Sequence, residues 1–298
     1  MNIPNALLAA AILAAAAPAA TAQQTINKNA KVAPDATVEV TNVQGTIEIT
    51  AWDRNEVDLV AVLESPKDQL EYEASERHVR IEVERERGKY KSDGDDARLT
   101  LRVPTGARVI ADAVSADITV KGVRGEQSLE SVSGEIDTQA FDAPVKANSV
   151  SGEVTIVGNG GKASVSTENV SGSSTVTGVR GDFSGEVVSG ELRATIADAG
   201  RVDASTVSGD IELSVELNAA SRVDLESVSG GIGLKIKPPV NADFDIESFS
   251  GDIENCFGPK PRETSKYTPS TELDFTQGSG GARVEIETLS GEIRVCDR

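Results

Sequence analysis

Glu130-Ser131-Val132-Ser133-Gly134-Glu135-Ile136 is followed 18 residues on by Asn148-Ser149-Val150-Ser151-Gly152-Glu153-Val154, and this recurrence decides the fold. The motif V-S-G-[DE]-[IV], with substitutions, returns with its serine at Ser115, Ser133, Ser151, Ser171, Ser189, Ser208, Ser229, Ser250 and Ser290. Successive serines stand 18, 18, 20, 18, 19, 21, 21 and 40 residues apart. A near-constant period of this size marks a protein of stacked repeats. One more copy opens the series at 38–49, with Gln44 in place of the serine. The gap of 40 is two periods long and holds an excursion, 257–281, rich in Pro, Thr, Ser and Gly.

Counting from the serine, offset −6 is apolar in every copy except that of Gln127, and offset +3 is aliphatic in every copy except that of Ser174. Offset −1 is apolar throughout: Val114, Val132, Val150, Val170, Val188, Val207, Val228, Phe249 and Leu289. These three positions read as the inward ones. Alternation with period two on either side of the motif gives β-strands with one buried face. The period breaks between −4 and +3, so a bend falls at Ser-Gly, where glycine accepts positive φ and the serine hydroxyl can satisfy a backbone group. The fold expected is all-β: a single-chain parallel β-solenoid of about ten rungs, each of 18–21 residues, stacked at ~4.8 Å. A helical repeat is excluded, because Val, Ile and Thr dominate and no 3.6-residue stripe spans a copy.

The solenoid domain is expected over 36–298, after a polar lead-in at 23–35. Residues 57–103 depart from the repeat. Their three alternating segments, 57–63, 78–83 and 97–103, read as an inserted antiparallel meander that caps the open edge. Residues 1–22 carry an apolar run, a helix-breaking Pro18 and the small-x-small ending Ala20-Thr21-Ala22, the pattern of a signal peptide cleaved after Ala22. The run is too short to cross a bilayer and polar Gln23 and Gln24 follow at once. The mature chain is therefore expected in the periplasm or outside the cell, without a transmembrane segment.

Charge and composition narrow the function. Lys+Arg 29 against Asp+Glu 48 gives a net charge of −19, which argues against nucleic acid or anionic lipid as a partner. A single histidine, His78, rules out a multi-histidine metal site. It alternates with Val79, Ile81 and Val83, which places it on a solvated strand face with no catalytic partner in view. One tryptophan and 3% aromatic residues leave little for stacking on sugars or bases.

Several motifs together resemble a known family. They are Trp52-Asp53-Arg54-Asn55-Glu56-Val57, Leu99-x-Leu101-x-Val103-Pro104-x-Gly106, the serial V-S-G-[DE]-I copies, and Gly278-x-Gly280-Gly281 before Leu289-Ser290-Gly291-Glu292-Ile293. The chain resembles the bacterial exported β-strand-repeat proteins of unknown function labelled "putative adhesins", over nearly all its mature length. That resemblance implies an elongated parallel β-solenoid in the cell envelope and brings no catalytic residues or cofactor with it.

Carboxylates accompany every copy. Offset −3 holds Asp112, Glu130, Glu168, Glu186, Glu226, Glu247 and Glu287, and offset +2 holds Asp117, Glu135, Glu153, Glu191, Asp210, Asp252 and Glu292. Stacked like charges destabilise a sheet, so this ridge calls for an explanation. One reading is a divalent-cation ridge, with Ca²⁺ held by Glu135, Glu153, Glu191, Asp210, Asp252 and Glu292. The plainer one, preferred because no compact D-x-[DN]-x-[DN]-G loop is present, is an acidic face that keeps the rod soluble, with no cofactor. The serine ladder reads as hydroxyls bracing the corner rather than as nucleophiles. The function expected is that of a non-enzymatic, adhesin-like or scaffolding protein of the envelope or surface, its partner an envelope protein or a polysaccharide. The alternatives are a β-helix polysaccharide lyase or hydrolase, and a Ca²⁺-binding envelope protein. Finally, Cys256 and Cys296 share an offset, six residues after Ser250 and Ser290. Direct stacking of those two copies would put the cysteines ~4.8 Å apart and close a disulfide that staples the last, otherwise unpacked, rung.

Overall fold

The computed structural model describes residues 23–85, 96–264 and 270–297, and every regular element among them is a β-strand. The proposed signal peptide lies outside the described residues. Two parallel ladders share the Ser-Gly corners. Before the corner, Val38 pairs with Val109, and the column continues through Gln127, Val145, Val165, Phe183, Val202, Val223 and Val284 to Phe244. After it, Ile47 begins a column through Ile118, Ile136, Val154, Ser174, Leu192, Ile211, Ile232 and Ile293 to Ile253. Both columns are buried, so offsets −6 and +3 line one continuous core. The two polar exceptions stay on the inner face because each finds a partner there: Gln127 donates to the Gln139 carbonyl at 2.9 Å, and Ser174 Oγ lies 3.2 Å from Thr167 Oγ1.

The corner differs from expectation in three ways. Offset −1 points outward: the eight copies from Val132 to Leu289 and the first, Val114, are all 44–53% exposed. Alternation runs unbroken from −6 through −4 to −2, and −2 is the last inward position. The brace of the corner comes from −2 rather than from the motif serine. The Gly134 N–H donates to Ser131 Oγ at 2.8 Å, Gly152 to Ser149 Oγ at 2.8 Å, Gly172 to Asn169 Oδ1 at 2.9 Å and Gly209 to Thr206 Oγ1 at 2.9 Å. The motif serines are exposed, and their N–H groups instead continue the ladder, as in Ser133 to the Val114 carbonyl at 2.8 Å. Close approach rather than positive φ demands the glycine in most copies. A Cβ on Gly134 would stand 1.9 Å from the Ala116 carbonyl oxygen, and one on Gly152 1.9 Å from that of Gly134.

The insertion 57–103 is only partly antiparallel. His78–Glu84 and Ala97–Pro104 pair in parallel with the two halves of Thr37–Trp52 and so extend both ladders by one more layer. The antiparallel strands lie outside that layer: Gln69–Ala74 on His78–Glu84, and Glu56–Leu63 on Ala97–Pro104. The stretch read as a polar lead-in forms the strand Gln24–Lys31, which pairs antiparallel with Glu56–Leu63. Strand edges that would otherwise stand open are thereby covered.

At the other end the copies are not stacked in chain order. Ala282–Ser290 lies between Asp210–Ser229 and Ala242–Ser248, in parallel with both. The outermost copy is therefore that of Ser250, and the copy of Ser290 is packed on both sides. The excursion 257–281 is not merely looped out. Thr271–Gln277 returns antiparallel along the free edge of Ala242–Ser248, with Phe275 stacked on Phe244 at 4.5 Å between ring centroids. Cys256 and Cys296 are joined by a disulfide across the two outermost copies, with Cα atoms 4.9 Å apart.

Candidate binding face

On the outer surface before the corner, each copy presents offsets −5, −3 and −1 in turn, because −6, −4 and −2 point inward. Stacking turns each offset into a column. The −1 column is apolar and runs from Val114 through Val132, Val150, Val170, Val188, Val207, Val228 and Leu289 to Phe249. Large exposed apolar side chains in a continuous line are uncommon on a soluble surface. Beside it stand the −3 residues, seven of them carboxylates. Between the two columns the surface is concave, with a stretch of about 430 Å³ bordered by Glu130, Val132, Val150 and Val170. A second, of about 510 Å³, is bordered by Glu226, Val228, Glu287 and Leu289, where the buried hydroxyls of Ser248 and Thr288 have no hydrogen-bond partner.

The acid columns are not equivalent. At −5, Arg201 reaches Asp203 at 2.8 Å and Asp224 at 3.7 Å, and Arg283 reaches Glu285 at 3.5 Å. At +2, Arg193 pairs with Glu191 and Arg294 with Glu292 at 3.3 Å, and the other five acids have no basic partner among the described residues. At −3, among the described residues, only Glu168 has a basic partner, Lys146 at 3.7 Å. Burial and like charge together raise the pKa of two of these acids. Burial first, then Glu130 and Glu39, push the Asp112 carboxyl above its ordinary pKa. Burial, then Glu272, Asp245, Glu287 and Asp274, do the same to Glu247.

The six residues read as a cation ridge fall on the far side of the corner. Glu135 and Glu153 are neighbours, Glu191 pairs in register with Asp210, and Glu292 adjoins Asp252, but Ser173 and Gly231 interrupt the series. Among the described residues no group of three or more His, Cys, Asp or Glu is placed to hold a metal ion. Two of the +2 acids instead serve the backbone: Asp117 Oδ1 accepts from the Glu135 N–H at 2.9 Å, and Asp210 Oδ1 from the Gly231 N–H at 2.8 Å. Coulombic repulsion from Asp137 first, then burial and the charges of Glu153 and Asp117, raise the Glu135 pKa. His78 is exposed, with Nε2 3.4 Å from Glu39 Oε2, and the nearby Ser75 hydroxyl engages the backbone of His78 rather than its ring.

The outward valines were the feature the sequence misplaced. The signal that could have found them is the run of small polar residues at −2, namely Ser131, Ser149, Asn169, Thr206, Ser227, Ser248 and Thr288, which extends the inward alternation one step further.

Among the described residues no helix is long and apolar enough to cross a membrane. Solved structures similar to this chain include a "putative cell adhesion protein" from Clostridium sporogenes, at 10% identity, covering 92% of this chain and 99% of that one, with a TM-score of 0.28. A "putative adhesin" from Bacteroides fragilis is similar at 12% identity, over 92% and 98% of the two chains, with a TM-score of 0.38. Another "putative adhesin", from Parabacteroides distasonis, is similar at 12% identity over 91% and 97%, with a TM-score of 0.36. No curated protein matches. The family model described as Toastrack DUF4097 matches residues 36–296, and the chain belongs to that family.

Proposed function

We propose that the mature chain, cut after Ala22, is a non-enzymatic, adhesin-like binding protein of the periplasm or cell surface. Its architecture is a single-chain parallel β-solenoid of about ten rungs, used as a rigid rod to present one regular face to an envelope protein or polysaccharide. The observation that carries this reading is the exposed apolar column from Val114 to Phe249 beside carboxylates of which, among the described residues, only Glu168 has a counter-charge. Such a line costs solubility and sheet stability, and contact with a partner offsets both. Uniform columns also support binding over catalysis, since chemistry needs a unique constellation and each copy here repeats its neighbour.

The test is capture from envelope extract by the purified oxidised rod, compared with a variant carrying Val150→Thr, Val170→Thr and Val188→Thr. These side chains are exposed, so the variant is expected to melt as the parent does while losing the captured material. Equal capture by both would sink the reading. N-terminal sequencing of the fractionated protein is expected to begin at Gln23.

A further inference from the structure

The binding face itself states the chemistry of its partner. We infer that the groove between the −3 and −1 columns docks an extended cationic polypeptide in polyproline II conformation, lying along the stack with a basic residue at every third position. This rests on the reading that the face binds a macromolecule, and narrows it.

Charge comes first. Arginines pair with Asp203, Asp224 and Glu285 at −5 and with Glu191 and Glu292 at +2, whereas Glu130, Glu186, Glu226, Glu247 and Glu287 at −3 have no ion pair among the described residues. Unpaired acids also stand at +2, but only those at −3 border the apolar column, so only there do anionic and apolar groups form the two walls of one groove. An occupant that supplies cations on one side and apolar groups on the other satisfies both walls. A second copy of the chain does not, because its own net charge is −19. A neutral glycan leaves the carboxylates unpaired.

Spacing comes next. The groove offers a site every ~4.8 Å along the stack, and its nine positions from Val114 to Phe249 span ~38 Å. A polyproline II chain advances ~9.3 Å in three residues, close to the ~9.6 Å of two copies, so one side chain in three keeps step with alternate carboxylates. A β-strand repeats its facing side chains every ~6.7 Å and an α-helix every ~5.4 Å, and both lose step within the length of the groove. The column at −3 runs Asp112, Glu130, Asn148, Glu168, Glu186, Ser205, Glu226, Glu287, Glu247, and either alternate set keeps at least three acids. The residue after each cation then faces the valines. Proline in the third place favours the extended conformation of the residue before it.

The probe is the labelled peptide (Lys-Val-Pro)4, ~37 Å long, followed by fluorescence anisotropy against the oxidised mature protein. Controls are a peptide of the same composition with its prolines clustered and the peptide (Glu-Val-Pro)4. Binding is expected, weaker at high salt, and roughly tenfold weaker for the variant Glu168→Gln, Glu186→Gln, Glu226→Gln. The variant Val150→Thr, Val170→Thr, Val188→Thr, which removes apolar surface without adding charge, is expected to weaken binding as well. Removing the same charge across the corner, with Glu135→Gln, Glu153→Gln and Asp210→Asn, is expected to leave affinity unchanged. All variants are first checked for a cooperative melting curve with a midpoint no lower than the parent's. Absence of binding, equal binding of the clustered peptide, or equal loss in the variant across the corner would overturn the inference. If envelope material is still captured through the valines while the peptide fails, only this inference falls. If capture does not depend on the valines, the broader reading falls with it.

Discussion

Ser290 stands in parallel register with Ser229, and the Gly230 N–H donates to the Ser290 carbonyl at 3.2 Å. The last copy in the chain is therefore inserted beneath the one before it, and Gly291 in turn donates to the Ser250 carbonyl at 3.3 Å. Ser229 and Ser290 are neighbours, whereas Ser229 and Ser250 are two layers apart, ~9.6 Å.

That order can be read by cross-linking. All three serines are exposed, so cysteine at these sites leaves the core intact. Ser229→Cys with Ser290→Cys is expected to form a second disulfide under mild oxidation, while Ser229→Cys with Ser250→Cys exceeds the ~7 Å limit and is expected to stay reduced. Peptide mapping under non-reducing conditions distinguishes them, and the opposite pattern would restore stacking in chain order.

The native bond between Cys256 and Cys296 closes a loop of 40 residues. In the chain-entropy model such a closure stabilises by roughly 3–4 kcal/mol. Since both copies it joins lie at the C-terminal end, Cys256→Ser with Cys296→Ser is expected to increase hydrogen exchange in 242–255 and 282–296 well before the central copies respond. Uniform loosening along the whole chain would show that the ends do not open separately.

The glycine column is a steric device, and its cost is measurable. Gly134→Ala directs a Cβ at the Ala116 carbonyl oxygen, which belongs to the neighbouring copy and has little room to withdraw. A loss of about 1–3 kcal/mol or more is expected in denaturant unfolding. A change within about 0.5 kcal/mol, the usual range for exposed sites, would mean that the corner relaxes freely.

The acid columns set the direction of the pH response. Asp112, Glu135, Asp224, Asp245 and Glu247 all have pKa values raised in the folded protein, by burial first except at Glu135, where Asp137 dominates. A carboxyl with a raised folded pKa binds its proton more tightly when folded, so its stabilising contribution exists below that pKa and is lost as pH rises through it. Asp198 has the opposite sign: hydrogen bonds from Lys162 and Asn218 lower its pKa, and its contribution disappears as pH falls. The melting temperature is thus expected to rise as pH falls from 7 toward the ordinary carboxylate range, about 4, and to fall below it, where Asp198 protonates. Asp245→Asn with Glu247→Gln is expected to raise it at pH 7 and to flatten the rise. A steady decline from neutral pH would contradict the assignment.

The repeat, the strand character of each half-copy and the inward columns at −6 and +3 were legible in the amino-acid sequence, because alternation and periodicity are local properties that a strand expresses wherever it is placed. Even the polar exceptions Gln127 and Ser174 kept their register. The disulfide was legible too, since equal offsets stack whichever of the two copies lies outermost. What hydrophobicity could not reveal was the side of the corner on which Val132 and its equivalents stand. A valine is as apolar outside as in, and only the backbone turn, braced by Ser131 and narrowed by the Ala116 carbonyl, excludes it from the interior. Nor could near-identical motifs encode their own order. The place of Ser290 beneath Ser250 depends on which free edge each strand meets, and on Thr271–Gln277 covering the last one, contacts that exist only once the whole chain is stacked.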